Sequence, residues 1–110
     1  MSTARNGRAR EHRISKAMQT HGWHQIMRAA ASKGPADLLM AHADHGAALV
    51  QVGTARSKTL GPADRDRFVT AAELIGALPL LATSGPGIPT RYWHVTRDVA
   101  STWQEYQPNA

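Results

Sequence analysis

Apolar side chains recur along this chain in two periods, and each period predicts an element. Over residues 8–20, Ile14, Ala17 and Met18 fall three and four apart, with Arg10 and Glu11 one turn earlier. That spacing predicts an amphipathic helix with a basic outer face. Gly22 follows, where a helix ends by turning through positive φ. Residues 23–29 then alternate, with Trp23, Gln25 and Met27 against His24, Ile26 and Arg28, as a strand does. The stretch 30–35 (AASKGP) is a turn-forming break. Residues 36–41 (ADLLMA) are a short apolar run suited to a central strand, 42–46 a hairpin turn, and 47–52 (AALVQV) the returning strand.

Residues 53–58 are polar and basic, and 59–64 read as a helix entry, with Pro62 in the first turn and Asp64 at the positive end of the helix dipole. Phe68, Ala71, Ala72 and Ile75 form the apolar stripe of a helix that should run to about Gly76. A fourth strand is expected at 78–82 (LPLLA), a glycine-proline loop at 84–89 and a fifth strand at 91–96 (RYWHVT). The order is α-β-β-β-α-β-β, an α/β domain with a mixed five-stranded sheet flanked by helices. Its one strand–helix–strand crossover should be right-handed. Residues 1–7 are expected to form a mobile basic arm and 8–97 the domain, with the tail 98–110 packing back through Trp103 and Tyr106.

Composition sharpens this picture in two ways. A 110-residue chain is one domain with a modest core, built mainly from Ala, Leu, Val, Ile and Met because only three Trp, two Tyr and one Phe are present. No run approaches the roughly 20 apolar residues of a membrane span, and the N-terminal MSTARNGRAR lacks the apolar segment of a secretory signal. The absence of cysteine excludes disulfides and thiolate metal sites and suits an intracellular protein. Thirteen Lys and Arg against eight Asp and Glu leave a net charge of +5. Arg5, Arg8, Arg10, Arg13 and Lys16 form one basic cluster; Arg56, Lys58, Arg65 and Arg67 form a second. Two such clusters suit a phosphate backbone, where each neutralised phosphate releases counterions, although a solvated surface would look the same.

The chemistry-bearing residues gather around the predicted hairpin. Asp37 opens the second strand, Gln51 lies on the third, and Glu11 on the first helix could approach both. Mg²⁺ takes about six hard oxygens, several from water and usually one or two from carboxylates. Asp37, the Gln51 amide oxygen and the Val52 carbonyl would supply three. Such an ion activates water and stabilises the departing oxygen in phosphodiester hydrolysis, with Mn²⁺ as a substitute.

The pattern resembles the archaeal-type and phage Holliday junction resolvases of the PD-(D/E)xK nuclease superfamily. It comprises a basic helix carrying Glu11, then Arg28 and Ser32 before the turn, Pro35-Ala36-Asp37, and Leu49-Val50-Gln51-Val52-Gly53. The helix at Asp64-Arg65-Asp66-Arg67-Phe68 and the strand at Leu78-Pro79-Leu80-Leu81-Ala82 follow. The resemblance covers about residues 8–95. It implies a restriction-endonuclease-like fold and an intracellular homodimer, cytoplasmic or phage-encoded and acting in its host. Such a dimer binds four-way junctions in recombination or replication and nicks two strands using Mg²⁺. It assigns catalysis to Glu11, Asp37 and Gln51. DNA contacts would fall to Arg5, Arg8, Arg10, Arg13, Arg28, Ser32, Lys33, Arg56, Lys58 and Arg65. Two positions depart from the family: Gln51 stands where an acid is expected and Gly53 where a lysine is. Lys58, Arg56 or Lys33 would have to supply the missing cation, and without one the chain would be a binding protein that cannot cut.

Each of these residues also has an ordinary reading. Asp37 caps a strand end, Glu11 pairs with Arg8 or Arg10 along its helix, and Ser32 is a turn residue. His21 and His24, and His42 and His45, share metal-ligand spacing, but neither pair has an evident third or fourth ligand. Tyr92 and Trp93 would stack on bases or, more ordinarily, fill a core. Ala71 and Ala72 would serve equally as core or as a dimer seam. A small scaffold or inhibitor module with an incidental basic surface is the remaining alternative.

Overall fold

The computed structural model describes residues 3–29, 36–53 and 60–109. Helix α1 (Thr3–Gln19) leads into β1 (Trp23–Arg28), β2 (Leu38–His42) and β3 (Gly46–Val52). Helix α2 (Pro62–Ile75) then crosses to β4 (Leu78–Gly85), which turns into β5 (Ile88–His94), followed by a short β6 (Glu105–Tyr106). The strands lie in sequence order in one mixed sheet of six. Every neighbouring pair is antiparallel except β3 and β4, which run parallel, as the α2 crossover requires.

The period-two alternation divides the strands between two cores. Leu38, Met40, Ala48, Val50, Leu80 and Ala82 pack with Trp23 and Tyr92 beneath Ile14 and Met18 of α1. Leu49, Leu81 and Val95 pack on the other face with Phe68, Val69 and Ala72 of α2, and Trp103 joins them from the C-terminal segment. The result is a helix–sheet–helix sandwich in which β4 is apolar on both faces, as a strand beside a parallel neighbour usually is. No helix among the described residues is long and apolar enough to cross a membrane.

Several boundaries differ from expectation, each for a local reason. Helix α1 begins at Thr3 and takes in residues 3–7, which the charge pattern had set apart as an arm. Strand β2 begins at Leu38 rather than at residue 36, because the Asp37 side chain replaces a ladder carbonyl by accepting from the Val52 amide at 2.8 Å. The expected loop at 84–89 is instead a tight β-hairpin. Strand β4 continues to Gly85, a register shift between Thr83 and Gly85 absorbs the irregularity, and Gly87 turns at φ 69°. Among the described residues the sheet has six strands rather than five, since Tyr106 and Glu105 pair with Tyr92 and Trp93.

One departure bears on the site. The register of β1 on β2 slips between Gln25 and Met27, so Ile26 is a bulge. Simple alternation groups Arg28 with His24, opposite Trp23 and Gln25. The bulge reverses that: Met27 pairs with Leu39 of the α2 face, and Arg28 pairs with Leu38 of the α1 face. Re-aiming one side chain is what a bulge does to a strand.

Candidate nucleic-acid and metal site

Glu11 sits one helical turn before Ile14 on the inward face of α1 and is only 8 % exposed. A carboxylate buried there must find a donor, and the re-aimed Arg28 supplies it, its Nε donating to Glu11 Oε1 at 2.9 Å. Asp37, also 8 % exposed, lies where β2 and β3 begin to pair. Its backbone amide donates to the Val50 carbonyl at 3.0 Å, and its carbonyl accepts from the Ala29 amide at 2.9 Å. Because one carboxylate oxygen accepts from Val52 N–H, the Asp37 head group lies in the plane of the sheet, between the faces. Burial pushes its pKa above the ordinary carboxylate value; the Val52 bond opposes this, and the negative charge of Glu11 adds to it.

Alternation assigns Gln51 to the face of Leu49, which α2 covers, while Val52 packs toward the α1 core. Glu11 and Arg28 therefore flank Asp37 from the α1 side, and Gln51 belongs to the opposite side. Gly53 contributes only its backbone, donating to the Ala82 carbonyl at 2.8 Å. An open cavity of about 230 Å³ runs beside Asp37, walled by Met27, Arg28, Ala36, Leu39 and Leu49.

The other candidate contacts separate into three groups. Arg8 is exposed and Arg10 and Arg13 half-exposed on α1, and Arg5 lies in the same helix near its start. The Arg65 guanidinium is engaged by backbone, donating to the Leu60 carbonyl at 2.7 Å and the Arg97 carbonyl at 3.2 Å, so it braces the entry to α2. Ser32, Lys33, Arg56 and Lys58 lie outside the described residues. Sequence reasoning missed the Arg28–Glu11 pair, since a bulge here carries no glycine or proline to announce it. The ordinary reading pairs Glu11 with Arg8 or Arg10 along its own helix, whereas its partner is 17 residues away.

No family model and no curated protein matches the chain.

The side chains that meet at Asp37 from the α1 side carry hard oxygen, its own carboxylate and that of Glu11, whereas Gln51 belongs to the other face. Burial raises the Asp37 pKa and the Glu11 charge adds to it, a cost that a divalent cation bound at Asp37 would relieve. Among the described residues no three His, Cys, Asp or Glu side chains converge, so any such ion would draw on backbone and water oxygens. His42 and His45 serve structure instead. His42 Nδ1 accepts from the Asp44 and His45 amides at 3.0 and 3.3 Å, its Nε2 lies 3.0 Å from the His21 carbonyl, and the His45 ring stacks on Trp23.

Proposed function

We propose that this chain is a DNA-binding protein of the nuclease-like class, similar to Holliday junction resolvases, acting on branched or duplex DNA as a homodimer inside the cell. The observation that carries the reading is the meeting of Asp37, Glu11 and Arg28 where β2 and β3 begin to pair, in an α1–β1–β2–β3–α2–β4 frame whose crossover strand is parallel to β3. In this reading Asp37 and the Val52 carbonyl would hold Mg²⁺, and water would fill the remaining positions, because Gln51 belongs to the other face of the sheet. When bound, the ion supplies a lowered pKa for water and charge stabilisation at the phosphate. Arg28 fixes the Glu11 carboxylate beside Asp37 and keeps its own edge toward solvent, where a phosphate oxygen would meet it.

Incubation with a labelled four-way junction and Mg²⁺ or Mn²⁺ tests the catalytic form of this proposal. Nicking is expected, and it should disappear in Asp37→Ala; equal rates for the two proteins would sink the idea. A second reading, a binding protein that holds DNA without cutting, is favoured by Gly53, which offers no cation beside the site. That reading expects binding with a steep salt dependence and no cleavage with any divalent ion. Restoration of cutting by the double substitution Gln51→Glu, Gly53→Lys would establish it, since the lost electrostatic groups are each worth about 10²–10³ in rate.

A further inference from the structure

The charge on this molecule is segregated by helix. Helix α1 carries five Lys and Arg, in a chain of net charge +5, and a single acid. That acid, Glu11, is buried and bound to Arg28, so it does not offset the outer face. On α2, by contrast, Asp64 pairs with Arg67, and Asp66 and Glu73 both pair with Arg97, which leaves little free positive charge there. Arg8, His12 and Lys16 are all exposed, and among the described residues none of them has an acidic partner.

These three side chains stand four residues apart, so they form one row climbing α1 at steps of about 6 Å. The row's flank is fixed by Ser15 and Gln19, which stitch α1 to β1: Gln19 Nε2 donates to Ser15 Oγ, and Ser15 Oγ donates to Gln25 Oε1. At about 100° per residue the row starts on that flank at Arg8 and winds onto the outer face of α1 at Lys16. Its Arg8 end stands one turn from Glu11 and so beside the Arg28–Asp37 cluster.

We infer that this row is a phosphate-tracking ridge: one strand of a duplex arm lies along Arg8, His12 and Lys16 and is led to the Asp37 end of the sheet. A row about 12 Å long covers about three to four phosphate-to-phosphate steps of one strand, at about 3.4 Å of axis per step. A lipid surface fits less well. The apolar side chains of α1, Ile14 and Met18, are fully buried in the core, so the outer face has nothing to insert among acyl chains. The ridge reads no bases, so it should grip all sequences alike. This inference rests on the DNA-binding reading above and adds Lys16 and His12 to it.

Anisotropy titrations with a labelled 30-base-pair duplex and a four-way junction, across a salt series, test the ridge. Wild type should bind both. Lys16→Ala should lower the slope of log affinity against log salt by about one, uniformly across sequences. The double reversal Arg8→Glu, Lys16→Glu should weaken both complexes at least tenfold at low salt, with thermal unfolding unchanged. Arg67→Glu on α2 should leave affinity nearly unaltered. If wild type binds and the ridge variants bind equally well, the ridge is refuted while the DNA-binding function stands. If wild type binds neither DNA, both fail. Binding only to vesicles rich in anionic lipid, lost in the double reversal, would overturn DNA in favour of a membrane surface.

Discussion

Asp37 holds a carboxylate in a place that costs the fold. Its raised pKa means the folded protein takes up a proton more readily than the unfolded chain does. Ionisation of Asp37 therefore destabilises the native state as pH rises through its folded value, and the penalty vanishes in acid. Asp37→Asn keeps an oxygen to accept from Val52 N–H but removes the charge. It should raise stability at pH 7 by roughly 0.5–2 kcal/mol, the usual gain when a functional site's strain is relieved, while eliminating any cleavage. Urea titrations of both proteins at pH 7 and pH 4 check the sign. The gain should shrink in acid, and a gain that grew there would contradict the assignment. Tyr92 offers a parallel case without chemistry. Its hydroxyl is buried with no hydrogen-bond partner among the described residues, and burial pushes its pKa up to about 12, so it stays a neutral donor. Tyr92→Phe should leave stability unchanged or raise it by about 1 kcal/mol. A clear loss would mean that the hydroxyl has a partner in solution.

At the scale of elements, what could be read in advance tracks how local the deciding physics is. The α2 helix announces itself through Pro62, Asp64 and the stripe of Phe68, Ala71, Ala72 and Ile75, although Ile75 is exposed and Val69 is buried in its place. It stops at Gly76, whose φ of 67° is the left-handed cap a helix end favours. The β2–β3 hairpin is equally legible, because the apolar runs and the turn at 43–45 are contiguous, and Asp37 opposite β3 followed from it. The bulge in β1 and the two-residue β6 were not legible. Each depends on a neighbour strand far along the chain, and so the Arg28–Glu11 pair stayed hidden. The start of β5 was missed because Pro89 reads as a loop residue, yet it is tolerated once β4 supplies the register. Gly22 shows the same coupling from the other side. It sits at φ 89°, and a Cβ there would stand 3.0 Å from His42 Nε2, the ring that bonds the His21 carbonyl. Gly22→Ala should therefore cost more than the roughly 1 kcal/mol of a left-handed alanine. Amide exchange should show the β2–β3 turn opening first, and uniform loss of protection would argue against a local clamp.

The whole molecule stands on one sheet with a core on each face, and the two cores are not equally self-sufficient. The α1 core is closed by Ile14, Met18 and Trp23 from contiguous chain, with Trp23 Nε1 donating to the Pro108 carbonyl as an outer tie. The α2 core is closed from outside, by Val95 and Trp103 beyond the last long strand. Arg97 holds that segment on α2 by reaching Asp66, Thr70 and Glu73, and Trp103 Nε1 donates to the Asp98 carbonyl. Those ion pairs are exposed and screened by salt, so the apolar burial of Trp103 should dominate. Trp103→Ala should cost about 3–5 kcal/mol, as truncation of a buried aromatic usually does, and Arg97→Ala far less. Because both cores share β4 as a wall, the loss should appear as one cooperative unfolding transition at lower urea. Two separated transitions, with α2 melting before α1, would show that the faces fold independently. In that case the Asp37 site, which belongs to the α1 side and the sheet plane, would survive loss of the C-terminal cover.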